Sequence, residues 1–232
     1  MIIFVDTCII KRNPQTSAFD TPAPNKEIWE IGYSPINKVT LQQMLRNYPK
    51  KDIAFELLQG FMFGFKLHYQ GPRLSTDCKN LISARENPSE IWEKIQKEIK
   101  LGRIAGSFSE KPIFKVRVSP IGLIPKMDGS WRFIIHLSHP EFNSVNYFID
   151  PRISSVQYTS FDKVMDMISE VGKGALLAKI YIKSAFRLLP IYPGDFDLLG
   201  FKLNGSYFFD KCLPMGCSIS RAIFEKFLTF LE

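Results

Sequence analysis

The stretch AKIYIKSAFRLLP, residues 178–190, joins a short apolar run to an abrupt polar break. The apolar side chains within residues 176–182 predict a strand. The run breaks at Lys183-Ser184, which places Phe186 and Arg187 just beyond its end. Binding and catalytic residues are often carried by loops that a rigid element positions. We therefore expect a functional site at the end of this strand.

Two hairpins are predicted on either side of this stretch, over residues 119–137 and 198–210. Each contains a dipeptide typical of tight turns, Asp128-Gly129 in the first and Asn204-Gly205 in the second. The second hairpin leads through the loop LPMGCS to a helix over residues 219–231, whose apolar residues recur at helical spacing.

Several other segments have a helical pattern. Asn87 and Gly102 are predicted to bound the clearest helix, with Pro88 at its first position and Glu90 in place for a capping box. Its apolar stripe consists of Ile91, Ile95 and Ile99. Three shorter amphipathic patterns predict helices over residues 39–45, 53–60 and 161–172.

The composition is that of a folded, basic chain. Of the 232 residues, 45% are hydrophobic and 13% aromatic, which excludes wholesale disorder. The formal net charge of +7 favours an anionic partner, nucleic acid before membrane. No run approaches the roughly 18 apolar residues of a membrane span, and the first residues lack the basic region of a signal peptide. These features predict an intracellular protein with no membrane contact.

The cysteines and histidines have no spacing typical of a metal site or a disulfide framework. The cysteines, which we expect to be reduced, are Cys8, Cys78, Cys212 and Cys217. The histidines are His68, His136 and His139. The sequence therefore predicts no zinc site.

The order of these segments predicts three parts and an α+β fold. Residues 1–35 are rich in proline and polar residues and form a poorly ordered lead-in. Residues 36–174 contain the helical patterns and the first hairpin. Residues 175–232 contain the strand, the second hairpin and the last helix.

The succession of motifs resembles that of retroelement reverse transcriptases. It runs from KMDGSWRFIIHLS through KIYIKSAFRLLPI and an Asn-Gly hairpin to LPMGCSISRAIFEKF. The similarity extends upstream through IWEKIQKEIKLGRIAGSFSEKP and GFKLHYQGPRLS, so that it covers residues 34–232. SVQYTSFDKVMDMI and DFDLLGF are most similar to the polymerases of DIRS-type retrotransposons. The resemblance implies a fingers subdomain joined to an incomplete palm, built from an antiparallel sheet packed with helices.

The resemblance also implies a nucleotide site. Lys126 and Arg132 match the fingers residues that close on the triphosphate, where fixed cations offset phosphate charge. Phe186 matches the aromatic residue beneath the sugar, which favours deoxynucleotides. Met215 and Gly216 match the loop that contacts the nucleotide and the template, with glycine allowing a close backbone approach.

The template-primer, an RNA or DNA strand pair, is the partner that the resemblance implies. Ser218 and Arg221 lie further along the loop and helix, where the template strand is expected. His136 stands where the family usually has an acidic residue that braces the fingers, which would leave Arg132 less well oriented.

The metal chemistry departs from the family pattern. Polymerisation uses two Mg²⁺ ions held by carboxylates, because hard cations prefer such oxygens. Tyr181 occupies the position of the first metal-binding aspartate, and a phenol is a poor Mg²⁺ ligand. The second motif, Tyr-x-Asp-Asp, would fall beyond Glu232, so the chain is expected to be truncated after LPMG. Asp195 and Asp197 lie in a loop that the family does not use for metal. We therefore expect no bound metal and no polymerisation by this polypeptide.

Three hypotheses follow from the sequence. The chain is an inactive fragment of a retrotransposon reverse transcriptase, an enzyme that transfers nucleotides to a primer 3′-hydroxyl. Alternatively, it is a non-catalytic, basic nucleic-acid-binding protein derived from a retroelement. The third hypothesis is a fragment without a cellular role. The incomplete palm also predicts exposed apolar surface and marginal stability.

Overall fold

The computed structural model describes residues 27–177 and 182–231. Helices in this part of the chain are α1 (Lys38–Arg46), α2 (Lys51–Phe63), α3 (Ile82–Glu86), α4 (Pro88–Lys100), α5 (Pro151–Ser154), α6 (Phe161–Val171) and α7 (Ile219–Leu231). Strands are β1 (Thr76–Asp77), β2 (Ile104–Phe108), β3 (Arg117–Val118), β4 (Ile121–Pro125), β5 (Trp131–Ile135), β6 (Gly200–Leu203) and β7 (Ser206–Asp210). Short 3₁₀ helices span Glu27–Trp29, Asn146–Phe148, Ala185–Leu188 and Pro193–Leu198. The predicted α+β class is confirmed.

One sheet has five strands in the order β1-β3-β6-β7-β2, and β4 and β5 form a separate two-stranded sheet. The pairings β6·β7 and β4·β5 are antiparallel, as the predicted hairpins require, and the pairing of β7 with β2, a strand that the sequence analysis did not predict, is antiparallel as well. By contrast, β1·β3 and β3·β6 are parallel, so the larger sheet is mixed. The parallel part is short because β1 and β3 contain two residues each.

Both predicted hairpins are confirmed, and their turns explain why. Asn204 and Gly205 have φ of 48° and 83°, the positive values that a two-residue turn between β6 and β7 requires. In the β4–β5 turn, Gly129 has φ of 77°, and the backbone N–H of Lys126 donates to the Ser130 carbonyl at 2.8 Å. Asp128 accepts from the hydroxyl of Ser130 at 2.7 Å, and this bond lowers the pKa of Asp128. Local hydrogen bonds thus fix the hairpin tip.

Helix boundaries differ from the prediction at two points. The helix predicted to end at Gly60 continues to Phe63, because the C-terminal glycine is Gly64, which has φ of 94° and donates its N–H to the Gly60 carbonyl. Gly60 lies inside the helix, where an added Cβ would lie 2.0 Å from a carbon of the Phe65 ring. Pro88 begins α4 as predicted, but the Asn87 side chain does not cap it. The amide nitrogen of Asn87 instead donates to the carbonyl of Ser83 at 3.1 Å, at the junction with α3.

The predicted strand over residues 176–182 is not found in its described part. Leu176, Leu177 and Ile182 lie outside the strands, and Leu176 and Leu177 are 99% and 72% exposed. A strand needs a hydrogen-bonding neighbour, and no described strand pairs with these residues. Residues 178–181 lie outside the described part of the chain, as does the lead-in up to residue 26.

The core is rich in phenylalanine and joins the large sheet to the helices. Fully buried rings include Phe196, Phe201, Phe208 and Phe209. Phe61 of α2 contacts the ring of Phe227 in α7 edge to face, with centroids 5.0 Å apart. Side chains from both sides of the predicted boundary at residue 174 therefore share one core, while the three-part division stays a prediction.

Two surface features complete the fold. The helix α6 contains no buried residue, although its sequence is strongly amphipathic. Phe161 and Val171, at its two ends, are 75% and 72% exposed. Within the described residues, no helix has the length and apolar character needed to cross a membrane.

Candidate functional site

A cavity of about 900 Å³ lies between α4, the β4–β5 hairpin and the segment that begins at Ile182. The hairpin contributes Lys126 and Arg132, and the loop before α7 contributes Met215. Lys183 and Ser184 line the side formed by the opening stretch of sequence. The structure therefore brings Lys126 and Met215, which lie 89 residues apart in the chain, to one cavity. The roles predicted for these residues stay predictions.

The two hairpin cations are held by the register of β4 and β5. Arg132 pairs with Ile124 across the sheet, and Trp131 pairs with Pro125. Lys126 begins the turn, and both Lys126 and Arg132 are exposed. Because the turn is closed by backbone hydrogen bonds, the two cations share one end of a rigid hairpin at the cavity.

Arg187 is the centre of a buried ionic cluster beside the cavity. Its Nη1 lies 2.6 Å from Oδ1 of Asp210, and its Nε donates to Oε2 of Glu98 at 3.0 Å. Nη1 also donates to the carbonyl of Cys212 at 3.0 Å. The three partners lie on β7, on α4 and in the loop after β7, so one guanidinium connects three parts of the fold.

The ionisation of this cluster follows from its burial. Burial opposes the charge of Arg187, but Asp210 and Glu98 outweigh this effect, so the pKa of Arg187 is raised. Burial raises the pKa of Asp210 to about 6, against the opposing effect of Arg187. Sequence reasoning placed Arg187 beyond the strand end but gave it no role, because sequence alone does not show that its partners are buried.

Phe186 lies outside the lining of the cavity. Its half-buried ring packs edge to face against Phe224 of α7, with centroids 5.7 Å apart. Phe224 lies on the apolar face of α7, and the Phe186 ring packs against that face and not into the cavity. The structure thus brings together Lys126, Arg132 and Met215 but not Phe186.

The loop before α7 is held by Asn146, which the sequence analysis did not identify. The Asn146 amide donates to the Gly216 carbonyl at 2.8 Å and accepts from the Ser218 backbone N–H at 2.9 Å. Gly216 has φ of 106°, and an added Cβ would lie 3.0 Å from the carbonyl oxygen of Ile135. Glycine is needed here for both its conformation and its size.

The two residues predicted to meet the template lie beyond this loop. Ser218 is half-buried, and its hydroxyl has no hydrogen-bond partner within residues 27–177 and 182–231. Arg221 is exposed on α7, and neither residue lines the cavity. Their predicted contact with a template strand stays a prediction.

Asp195 and Asp197 bind an arginine. Arg73 Nη2 donates to Asp195 at 2.5 Å, and Arg73 Nη1 forms an ion pair with Asp197. The other carboxylate oxygen of Asp195 accepts from the backbone N–H of Leu67 at 2.8 Å. Burial raises the pKa of Asp197, and Arg73 counters that shift. These contacts give both aspartates a structural role.

The described residues do not fit the Mg²⁺ that the resemblance implies. Mg²⁺ is bound through free carboxylate oxygens, whereas Glu98 and Asp210, the acids that line the cavity, both pair with Arg187. Across residues 27–177 and 182–231, no group of three histidine, cysteine or acidic side chains is arranged to bind a metal. Tyr181, the residue that the resemblance places at the first metal ligand, lies outside the described residues.

The structure describes all three histidines and three of the four cysteines. Cys78, Cys212 and Cys217 are free thiols, and burial raises the pKa of Cys212 and of Cys217 to about 12. Cys8 lies outside the described residues. The rings of His136 and His139 have centroids 5.8 Å apart.

Comparison with known proteins finds similarity to transposon polyproteins at low sequence identity. No family model matches the chain. The Tf2-7 and Tf2-8 transposon polyproteins of Schizosaccharomyces pombe are each 22% identical to it over 196 residues, and the Tf2-3 polyprotein is 21% identical. The chain is similar to retrotransposon polyproteins. These alignments cover 84% of this chain but 13% of each polyprotein, and they give no support to the DIRS type.

Solved structures of foamy viral protease-reverse transcriptases are similar at a low level. The form named dRH, in complex with double-stranded DNA, has a TM-score of 0.49 and 17% identity, covering 94% of this chain and 37% of that one. The form in complex with an RNA/DNA hybrid has a TM-score of 0.46 and 18% identity, covering 94% and 28%. Similarity at this low level establishes neither a family nor a function for this chain. The α+β class rests on the helices and strands described above.

Proposed function

We propose that the chain is part of a retroelement reverse transcriptase and that its cavity receives the phosphates of an incoming nucleotide beside a template-primer. The observation that carries this proposal is the convergence of Lys126, Arg132 and Met215 on one cavity. The similarity to retrotransposon polyproteins supports the same class of protein. The DIRS type is a finer part of the proposal, and it rests on SVQYTSFDKVMDMI and DFDLLGF alone.

The charge of the cavity supports a phosphate ligand. Both acids that line it are paired with Arg187. Among the described residues, six other lining cations form no ion pair: Lys94, Lys97, Arg103, Lys126, Arg132 and Lys183. Fixed cations stabilise phosphate charge without reorganisation. An anionic ligand therefore meets an excess of positive charge.

The proposal includes the absence of polymerisation by this polypeptide. Tyr181 stands in place of a metal-binding aspartate, and the 232 residues contain no Tyr-x-Asp-Asp. The carboxylates of the described cavity are occupied by Arg187. Substitution Tyr181→Asp alone should leave the polypeptide inactive, because one carboxylate does not supply a two-metal site.

Binding and primer extension test the two halves of the proposal separately. Fluorescence anisotropy with a labelled RNA/DNA hybrid should show binding that weakens steeply as salt rises, because bound cations displace counterions from the phosphates. In a parallel titration with a labelled deoxynucleoside triphosphate, the double variant Lys126→Ala/Arg132→Ala should bind less tightly than Lys163→Ala/Arg85→Ala, a matched pair of exposed cations that do not line the cavity. Equal loss in both variants, or binding that ignores salt, argues against the proposed site.

The non-catalytic alternative is favoured by one specific observation. The described cavity keeps unpaired cations while its acids are paired, which suits phosphate binding without metal chemistry. A primer-extension assay with Mg²⁺ or Mn²⁺ distinguishes an active polymerase from a protein that only binds nucleic acid. Extension by this polypeptide would overturn the inactivity, whereas hybrid binding without extension supports a binding role.

A further inference from the structure

Arg103 is fixed between α4 and the large sheet. Its backbone N–H donates to the carbonyl of Glu98 at 2.9 Å, which closes the end of α4. Its own carbonyl accepts from the backbone N–H of Lys211 at 2.8 Å, alongside the pairing of Ile104 with Asp210. The backbone of Arg103 is therefore held on both sides, and its side chain lines the cavity.

The side chain of Arg103 is buried, and one of its nitrogens is unpartnered. The residue is 7% exposed, and among the described residues its Nε has no hydrogen-bond partner. Within the described chain, no carboxylate forms an ion pair with it, since Glu98 and Asp210 pair with Arg187. Arg117 is also buried, but its Nη1 donates to the Asn143 carbonyl at 2.7 Å. A buried charge is normally paired, because removing it from water is costly.

We propose that Arg103 binds the oligophosphate group of a small ligand in the cavity, a phosphate contact additional to those of Lys126 and Arg132. This inference rests on the proposed nucleotide site and adds a residue to it. Lys94 and Lys97 of α4 line the same cavity. Their charges suit a ligand that carries several negative charges close together.

The position of Arg103 favours a small oligophosphate over a nucleic-acid backbone. The cavity volume of about 900 Å³ is within the range of small-molecule sites. A duplex carries its phosphates on the outside of a wide, stiff rod, which meets exposed cations more readily than a side chain that is 7% exposed. The linear phosphate chain of a nucleotide is narrow enough to enter the cavity.

Removal of this side chain should have opposite effects on stability and on binding. In the free protein, Arg103→Met removes an unpaired buried charge, so the thermal midpoint Tm should rise by roughly 2–4 °C. Inorganic tripolyphosphate and a deoxynucleoside triphosphate should each raise the Tm of the unaltered protein. In Arg103→Met, that ligand-induced rise should disappear, and calorimetry should show Kd weakened by about tenfold or more.

Two control variants keep the result interpretable. Arg85→Met removes an exposed arginine on α3 that does not line the cavity, and it should keep the full ligand-induced rise. Arg103→Lys keeps the charge but not the forked donors, and it should bind with intermediate affinity. If Arg103→Met keeps the ligand-induced rise, or lowers the Tm of the free protein as a structural arginine would, the inference is overturned.

The hybrid-binding assay separates this inference from the proposed function. If the unaltered protein binds the RNA/DNA hybrid and tripolyphosphate raises the Tm of Arg103→Met as much as that of the unaltered protein, Arg103 has no phosphate role and the proposed function stands. If tripolyphosphate binds through Arg103 but the hybrid does not bind, the inference stands and the proposed function fails.

Discussion

At the scale of single residues, Arg187 and Arg103 both line the cavity, but of the two only Arg187 forms ion pairs within the described residues. Arg187 has two carboxylates and a carbonyl around its guanidinium. Arg103 has no such partner among the described residues. The first arginine therefore stabilises the fold, whereas the second reduces its stability until an anion binds.

Arg187→Met should strongly destabilise the protein. The substitution leaves Asp210 and Glu98 without their cation, and breaking a buried pair in this way costs about 3–5 kcal/mol. Urea unfolding should show this loss in the free energy of unfolding. The further substitutions Asp210→Asn and Glu98→Gln should restore part of it, because they remove the unpaired charges.

The matched control for that prediction is Arg152→Met. Arg152 pairs with Asp150 at 2.6 Å, but its side chain is 89% exposed, so little change in unfolding is expected. A decrease for Arg187→Met no larger than for Arg152→Met would show that the buried cluster does not stabilise the fold.

At the scale of elements, the loop before α7 depends on a side chain from another segment. Asn146 lies in a 3₁₀ helix and bonds to the Gly216 carbonyl and the Ser218 amide. It also donates to the Ser138 hydroxyl at 2.9 Å. One amide thus fixes a loop about 70 residues further along the chain, which places Met215 at the cavity.

Asn146→Ala should loosen this loop while leaving the rest of the fold intact. Each lost hydrogen bond contributes about 1 kcal/mol, so hydrogen exchange of the Ser218 amide should accelerate roughly fivefold or more. Asn87→Ala, which removes one bond to the Ser83 carbonyl, should leave that amide unchanged. Unaltered exchange at Ser218 in Asn146→Ala would mean that other contacts hold the loop.

The elements that the sequence predicts well are those with local causes. The hairpins follow from Asp-Gly and Asn-Gly turns, and α4 follows from Pro88 and its apolar stripe. The boundary of α2 was missed because two glycines lie near its end, and it is Gly64, with φ of 94°, that ends the helix. The strand expected over residues 176–182 is described only at Leu176, Leu177 and Ile182, which lie outside the described strands.

The same distinction applies to the candidate site. Lys126 and Arg132 were found because they flank a recognisable turn. Asn146, Arg103 and Glu98 were not, since their roles depend on contacts between distant segments or on burial. Sequence shows which charges exist, but it does not show which of them have partners.

At the scale of the whole molecule, aromatic packing joins α2 to α7. Phe61 is fully buried, and its ring contacts Phe65 at 5.2 Å and Phe227 at 5.0 Å between centroids. The ion pair between Lys226 and Glu56 connects the same helices at 2.7 Å but is part-exposed, so packing contributes more to the connection.

Phe61→Ala should destabilise the molecule as a whole by about 3–5 kcal/mol, because it leaves a cavity between the two helices. Circular dichroism and tryptophan fluorescence should both report one shifted urea transition if the shared core unfolds as a unit. Phe55→Ala on the same helix removes a ring that is 65% exposed and should change stability by about 0.5 kcal/mol or less. Separate transitions by the two probes would contradict a single cooperative core.

The bare apolar face of α6 has a consequence for handling the protein in solution. Exposed apolar side chains of this kind favour association between molecules, whereas the net charge of +7 opposes it. Added salt screens this repulsion, and kosmotropic anions such as sulfate strengthen the attraction. Dilute, low-salt buffers therefore favour dispersed molecules, and the same buffers favour the binding of phosphates.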